Sequence, residues 1–179
     1  VTKRYQNTAQ FIAQEAPIES FYCLSKQALE NQVQRFISGF SGVVAYAVKA
    51  NPAPELVHAL AACGIRAYDV ASIAEVALVR GIMPNAYVMY DNPVKSRDEI
   101  TQAYQDYGVK SYALDDVREF EKIQSIIGAD ASVQLTVRFK IPTNTAKYDL
   151  SEKFGADEAL SIELLKKVSA AGYRCGLTF

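Results

Sequence analysis

Five polar residues, Lys49, Asp69, Asn92, Asp115 and Arg138, recur along the chain at intervals of 20, 23, 23 and 23 residues. Each stands at or just past the end of a β-branched or aromatic run. The side chains do not repeat, but their placement does. In a (β/α) barrel the carboxyl ends of the strands, with the loops after them, form the active face, so polar groups recurring there can assemble one site. The set offers an amine, carboxylates and a guanidinium. Any βα protein also puts polar residues where strands stop, and Asp115 reads equally well as a cap on the helix that follows.

Lys49 is the least ordinary of the five. It ends the run Gly42-Val-Val-Ala-Tyr-Ala-Val-Lys-Ala-Asn51, where strand alternation would put it on one face with Val43, Ala45 and Ala47. A lysine at the tip of such a small apolar face either snorkels to water or is held in a cavity where its charge is disfavoured. In the second case the neutral amine can attack an aldehyde to give an imine. The alanines beside it leave room for a ring.

Apolar runs alternating with helical patterns supply the frame for these residues and indicate βα units around a parallel sheet. Strands are expected near 20–24, 43–49, 66–71, 86–91, 110–114, 133–139 and 174–179. Helices are expected near 26–38, 54–63, 73–80, 97–107, 116–127 and 158–171. Gly64, Gly81, Gly108, Gly128 and Gly172 each follow a helical pattern, where a left-handed residue can close the last turn. Ser72 with Glu75 and Ser96 with Glu99 have capping-box spacing. Residues 1–19 read as a polar lead-in arm outside the sheet, and residues 20–179 as one domain. The irregular stretch from Lys140 to Asp157, with Pro142, Asn144 and Gly155, reads as a functional βα loop.

Composition narrows the function classes. With 179 residues, 50% hydrophobic and 22% charged, the chain can bury a sizeable core. A formal net charge of −1 with scattered Lys and Arg lacks the footprint of a nucleic-acid binder. The longest apolar stretch, Val43 to Val48, is far short of a membrane span, and the first residues lack the apolar core of a signal peptide. A soluble, cytoplasmic protein is expected. Cys23, Cys63 and Cys175 lie too far apart for a zinc motif and read as buried reduced thiols; no metal site is indicated. His58, the one histidine, falls in a helical pattern and is given no catalytic role.

Tyr46-Ala-Val-Lys-Ala-Asn-Pro52 resembles the cofactor-lysine motif of the barrel-type pyridoxal-phosphate decarboxylases, a family that includes ornithine, lysine, arginine and diaminopimelate decarboxylases. Asp69-Val-Ala-Ser-Ile-Ala-Glu75, Asp91-Asn-Pro-Val-Lys-Ser96, Arg138 and Lys153-Phe-Gly155 match in the same order. Alanine racemases share the barrel, but usually continue with Tyr-Gly-His after the Asn, where this chain has Pro52-Ala-Pro54. Asn92-Pro-Val-Lys-Ser96 and Tyr148-Asp-Leu-Ser-Glu-Lys-Phe-Gly155 resemble the ornithine type, the latter its bacterial form, so the substrate ranking is ornithine, then lysine, then diaminopimelate.

The resemblance implies a partial (β/α)8 barrel with about six of eight strands, without the carboxy-terminal β domain of the family, to which strand 20–24 would belong. It implies pyridoxal 5'-phosphate as cofactor, held by Lys49, with Asp69, Glu75 and Arg138 around it. Arg138 shares a polar strand face with Gln134 and Thr136, which suits a barrel centre filled by cofactor or water. Lys153 matches a residue that pairs with an acidic group of a second subunit, so a homodimer of the parent protein is implied. Each role has a plain counterpart: Asp69 as a strand-end cap, Glu75 as the capping-box partner of Ser72, Lys153 as a loop lysine, and Lys95 as a solvated lysine shaping its loop. The chain alone is expected to bind cofactor weakly and to release no carbon dioxide. The alternative is a non-catalytic homologue that sequesters a regulator.

Overall fold

The computed structural model describes residues 3–141 and 153–179. Pro142, Asn144 and the segment Tyr148 to Glu152, singled out above, lie outside the described residues. Six strands form one parallel sheet in sequential order: β1 (Ala45–Ala47), β2 (Ala67–Val70), β3 (Tyr87–Tyr90), β4 (Ser111–Leu114), β5 (Gln134–Arg138) and β6 (Arg174–Thr178). The helices are α1 (Thr8–Glu15), α2 (Lys26–Gly39), α3 (Pro54–Ala62), α4 (Ile73–Ile82), α5 (Arg97–Gln105), α6 (Val117–Ile127) and α7 (Glu158–Ala170). Among the described residues an α-helix lies between each strand and the next, as parallel neighbours require.

Alternation along the strands divides the sheet into two unlike faces. Tyr68, Val70, Val88, Tyr90, Tyr112, Leu114, Leu135 and Val137 project towards the helices and are buried in one core with Val57, Val79, Ile100, Ile123 and Leu164. A large apolar side chain buried there contributes roughly 1.5–3 kcal/mol. The opposite face carries Ala67, Asp69, Met89, Ser111, Ala113, Gln134, Thr136 and Arg138. Apart from Met89 and Tyr87 it is small or polar, as the sheet of an incomplete barrel would be on its inside. The order is open, and both edges carry exposed apolar residues, Val43 on one side and Leu177 and Phe179 on the other.

Several expectations are corrected. Segment 20–24 is not a strand: among the described residues no strand pairs with it, Tyr22 is fully exposed, and Phe21 instead meets Phe11 at a centroid separation of 4.6 Å. Strand 43–49 shortens to three residues: Val43 and Val44 lie outside the ladder, and after Ala47 the backbone turns into a single 3-10 turn, Val48–Ala50, that buries Val48 completely. Gly81 lies inside α4, whose cap is Met83, whereas Gly64, Gly108, Gly128 and Gly172 do take positive φ. Cys23 and Cys175 are exposed and Cys63 is half-buried; the first sits just before α2 and the second on an edge strand, where solvent reaches both. The lead-in does form a helix, α1, none of whose residues is buried. Among the described residues, no helix is long and apolar enough to cross a membrane.

Candidate active site

The motif around Lys49 builds its own turn. The Tyr46 hydroxyl donates to the Asn51 carbonyl at 3.1 Å, and the Asn51 side-chain oxygen accepts the Ala53 N–H at 3.0 Å. Asn51 N–H closes the 3-10 turn on Val48 O at 3.1 Å, and Pro54 then opens α3 with its fixed φ. Lys49 is therefore presented from a pinned turn at the carboxyl end of β1, not from the strand, and its side chain is exposed instead of desolvated.

That amine borders a cavity of about 360 Å³ whose walls include Asp69, Asp91, Asn92, Arg138 and Phe154. All but Phe154 come from the carboxyl ends of β2, β3 and β5, the active face of a (β/α) sheet. A larger hollow of about 500 Å³ lies between α2 and the β1 edge, but Phe36, Phe40 and Val43 line it and Arg35 is the one charged group there. The smaller cavity has the chemistry.

Asp69 and Asp91 share the inner face, because Asp69 pairs in register with Met89 and Asp91 follows two residues later, held by its N–H on Val70 O at 3.0 Å. Burial pushes the Asp69 carboxyl up; Lys49 opposes this, Glu75 adds to it, and Arg138 opposes it. Asp91 is pushed up to about 6, first by burial and then by Asp69, against the pull of Lys95, Arg138 and Lys49. Two carboxyls thus face two cations, and neither carboxyl is fully free to ionise. Asp91 lines the cavity but is not among the candidate residues that the sequence singles out, although it opens the Asp91–Ser96 motif; its same-face relation to Asp69 depends on register, which a single strand run does not reveal.

Arg138 ends β5 on the face it shares with Gln134 and Thr136, as expected, and its guanidinium carbon lies 5.6 Å from the centre of the Phe154 ring. Phe154 is held there by three contacts. Ala156 N–H donates to Arg138 O and Lys140 N–H to Ala156 O, both at 2.8 Å, and Gly155 N–H donates to the Asp115 carboxylate at 2.8 Å. Asp115 is thus not the helix cap; Asp116 caps α6. Glu75 does not line the cavity. Its carboxylate accepts the Ala71 N–H at 2.7 Å, one residue earlier than a capping box would have it, while Ser72 accepts Glu75 N–H. Ser96 and Glu99 do form the full box. Lys153 is exposed, next to Phe154. Lys95, expected to be solvated, is completely buried against Glu119, because main-chain carbonyls and that carboxylate replace water around it.

The sequence matches the family described as "Pyridoxal-dependent decarboxylase, pyridoxal binding domain" over residues 26–172. It is 37% identical over 139 residues to a lysine/ornithine decarboxylase of Selenomonas ruminantium, covering 76% of this chain and 34% of that protein. The fold superposes on arginine decarboxylase of Paramecium bursaria Chlorella virus, solved with agmatine, with a TM-score of 0.81 at 24% identity, over 94% of this chain and 45% of the other. A mutant of SrLDC solved in complex with PLP gives 0.78 at 29% identity, over 99% of this chain and 46% of the other. The chain therefore spans about a third of the length of the first relative and under half of the solved chains. A (β/α) sheet with six sequential parallel strands, a lysine at the first strand end and a match over residues 26–172 make this chain a member of the pyridoxal-dependent decarboxylase family.

Proposed function

We propose that this chain forms the cofactor-binding part of a pyridoxal-phosphate-dependent decarboxylase acting on a basic amino acid, with Lys49 as the residue that holds the cofactor. The carrying observation is the meeting of one exposed primary amine, two carboxyls and a guanidinium around a single cavity at the strand ends. That donor set fits pyridoxal phosphate: Lys49 Nζ suits its aldehyde, and Arg138 supplies a fixed cation for an anionic group of cofactor or substrate. When bound, the cofactor supplies the electron sink that accepts the pair left behind by departing carbon dioxide.

The rest of the work belongs to the chain. Asp69 and Lys49 line the same cavity, and the positive charge of the lysine draws the Asp69 carboxyl towards ionisation against its burial. Arg138, with its guanidinium carbon 5.6 Å from the Phe154 ring, can orient an anionic group, which matters because the bond to be broken must stand perpendicular to the cofactor plane for decarboxylation to win over racemisation. Glu75 acts one step away, on the Ala71 N–H, and so sets the turn that follows β2. The parent protein is a homodimer in this reading, with Lys153 at the subunit contact, and its location is the cytoplasm.

Ornithine ranks first as substrate and lysine second, supported by the Asn92-Pro-Val-Lys-Ser96 motif and by the basic amino acids named for the relatives. The test is borohydride reduction of the intact protein after incubation with pyridoxal phosphate, followed by peptide mapping. The label is expected on Lys49 and lost in Lys49→Ala; a label on another lysine, or none, removes the reading. A parent protein that consumes only meso-diaminopimelate overturns the ranking alone.

A further inference from the structure

Lys95 lies four residues beyond Asp91, and its side chain has no exposed surface. Its ammonium donates to Asn92 O at 2.8 Å and to Ala113 O at 2.7 Å, reaches Pro93 O at 3.5 Å, and sits 3.2 Å from Glu119 Oε1. The Lys95 N–H meets the same carboxylate at 3.3 Å. Lys122 pairs with Glu119 Oε2 at 2.5 Å and donates to the Lys95 carbonyl. A buried ion pair is weak evidence for stability, since well-packed apolar residues of the same volume often do as well. The use of this one lies in what it holds: Asn92 and Pro93 are cavity wall, while Lys95 and Glu119 are not.

We propose that Lys95 is a positioning residue which, with Glu119, clamps the carbonyls of Asn92, Pro93 and Ala113 and so fixes the Asp91–Pro93 wall of the cavity around a bound cofactor. The identity of that cofactor rests on the reading above. Lys95 also acts on Asp91 by charge, as the first of three cations, ahead of Arg138 and Lys49, that counter the effect of burial and of Asp69. Around Lys95 itself stand Glu119, Lys122 and Asp91.

The test is Lys95→Met in the intact protein. Glu119 keeps Lys122, so no buried charge is orphaned. Two readings are taken: the Kd for pyridoxal phosphate from its visible absorbance, and the titration of Asp91 by carboxyl carbon NMR with Asp91→Asn for assignment. The expected result is a Kd weakened about tenfold or more, as small misplacements of a site wall produce, together with an upward move of the Asp91 midpoint. A variant that melts earlier but keeps the wild-type Kd and midpoint overturns the proposal. If Lys95→Met fails to fold, Glu119→Gln decides. Without that carboxylate Lys95 is less readily charged, so Kd must weaken and the midpoint must rise; no change in both overturns the proposal. A wild-type protein that takes up no pyridoxal phosphate defeats the cofactor reading, yet the Asp91 titration still decides the role of Lys95.

Discussion

Asp91→Asn tests the electrostatics of the site without any cofactor. The Asp91 carboxyl moves from an ordinary 3.8 to about 6 in the folded chain, so the native state holds a proton that the unfolded state has already released. Between those two values the folded form binds more protons, and stability must fall as pH rises; above about 6 the loss is complete. A shift of about two units corresponds to at most roughly 3 kcal/mol. The asparagine keeps the shape and carries no charge, so it escapes this loss. Urea unfolding of both proteins from pH 4 to 8 should give curves that converge near pH 4 and separate as pH rises. At pH 7.5 the variant should be more stable, by about 1–3 kcal/mol. Some slope remains in the variant, because Asp69 is also pushed up by burial. Parallel curves, or a variant less stable at pH 7.5, would show that Asp91 is ionised and well satisfied, and the coupling argued for this cavity would be wrong.

Gly155 has φ +107°, and a Cβ there would lie 3.1 Å from Lys140 N; Gly155→Ala should lower stability by roughly 1–3 kcal/mol in thermal melts, and release Phe154 from Arg138. Ser96→Ala removes one half of the capping box of α5 and should cost about 1 kcal/mol in urea unfolding. Leu135→Ala, at a completely buried position of β5, should cost about 2–5 kcal/mol by the same assay.

The βα order could be read from the chain because each level of the pattern agrees: β-branched and aromatic runs, glycines after helices, serine caps before them. Where the reading missed, a partner distant in sequence had decided the outcome. Segment 20–24 has the composition of a strand, but a strand exists only against another strand, and no local pattern states whether one is there. Strand alternation alone continues through Val48 to Lys49, whereas the turn that buries that valine ends the strand at Ala47. Glu75 shows a subtler miss: the spacing to Ser72 was right, yet the carboxylate bonds one residue further back, a choice made by the β2–α4 turn.

The two residues read least well, Asp91 and Lys95, have one origin. Lysine and aspartate are normally assigned to water, because burying either alone is expensive. Here the compensation comes largely from outside the motif: Glu119 lies 24 residues beyond Lys95, and Arg138 and Lys49, which with Lys95 pull against the burial of Asp91, stand at other strand ends. A reading confined to Asp91-Asn-Pro-Val-Lys-Ser96 can see that the segment is unusual but not that its charges are countered, so it sends Lys95 to solvent and passes over Asp91. Once the register of β2 and β3 is known, both carboxyls fall on the same face, and Lys95 lies behind the wall that connects them. The spacing of polar residues therefore points to the strand ends that border the cavity, while the charges around it become visible only through contacts between strands.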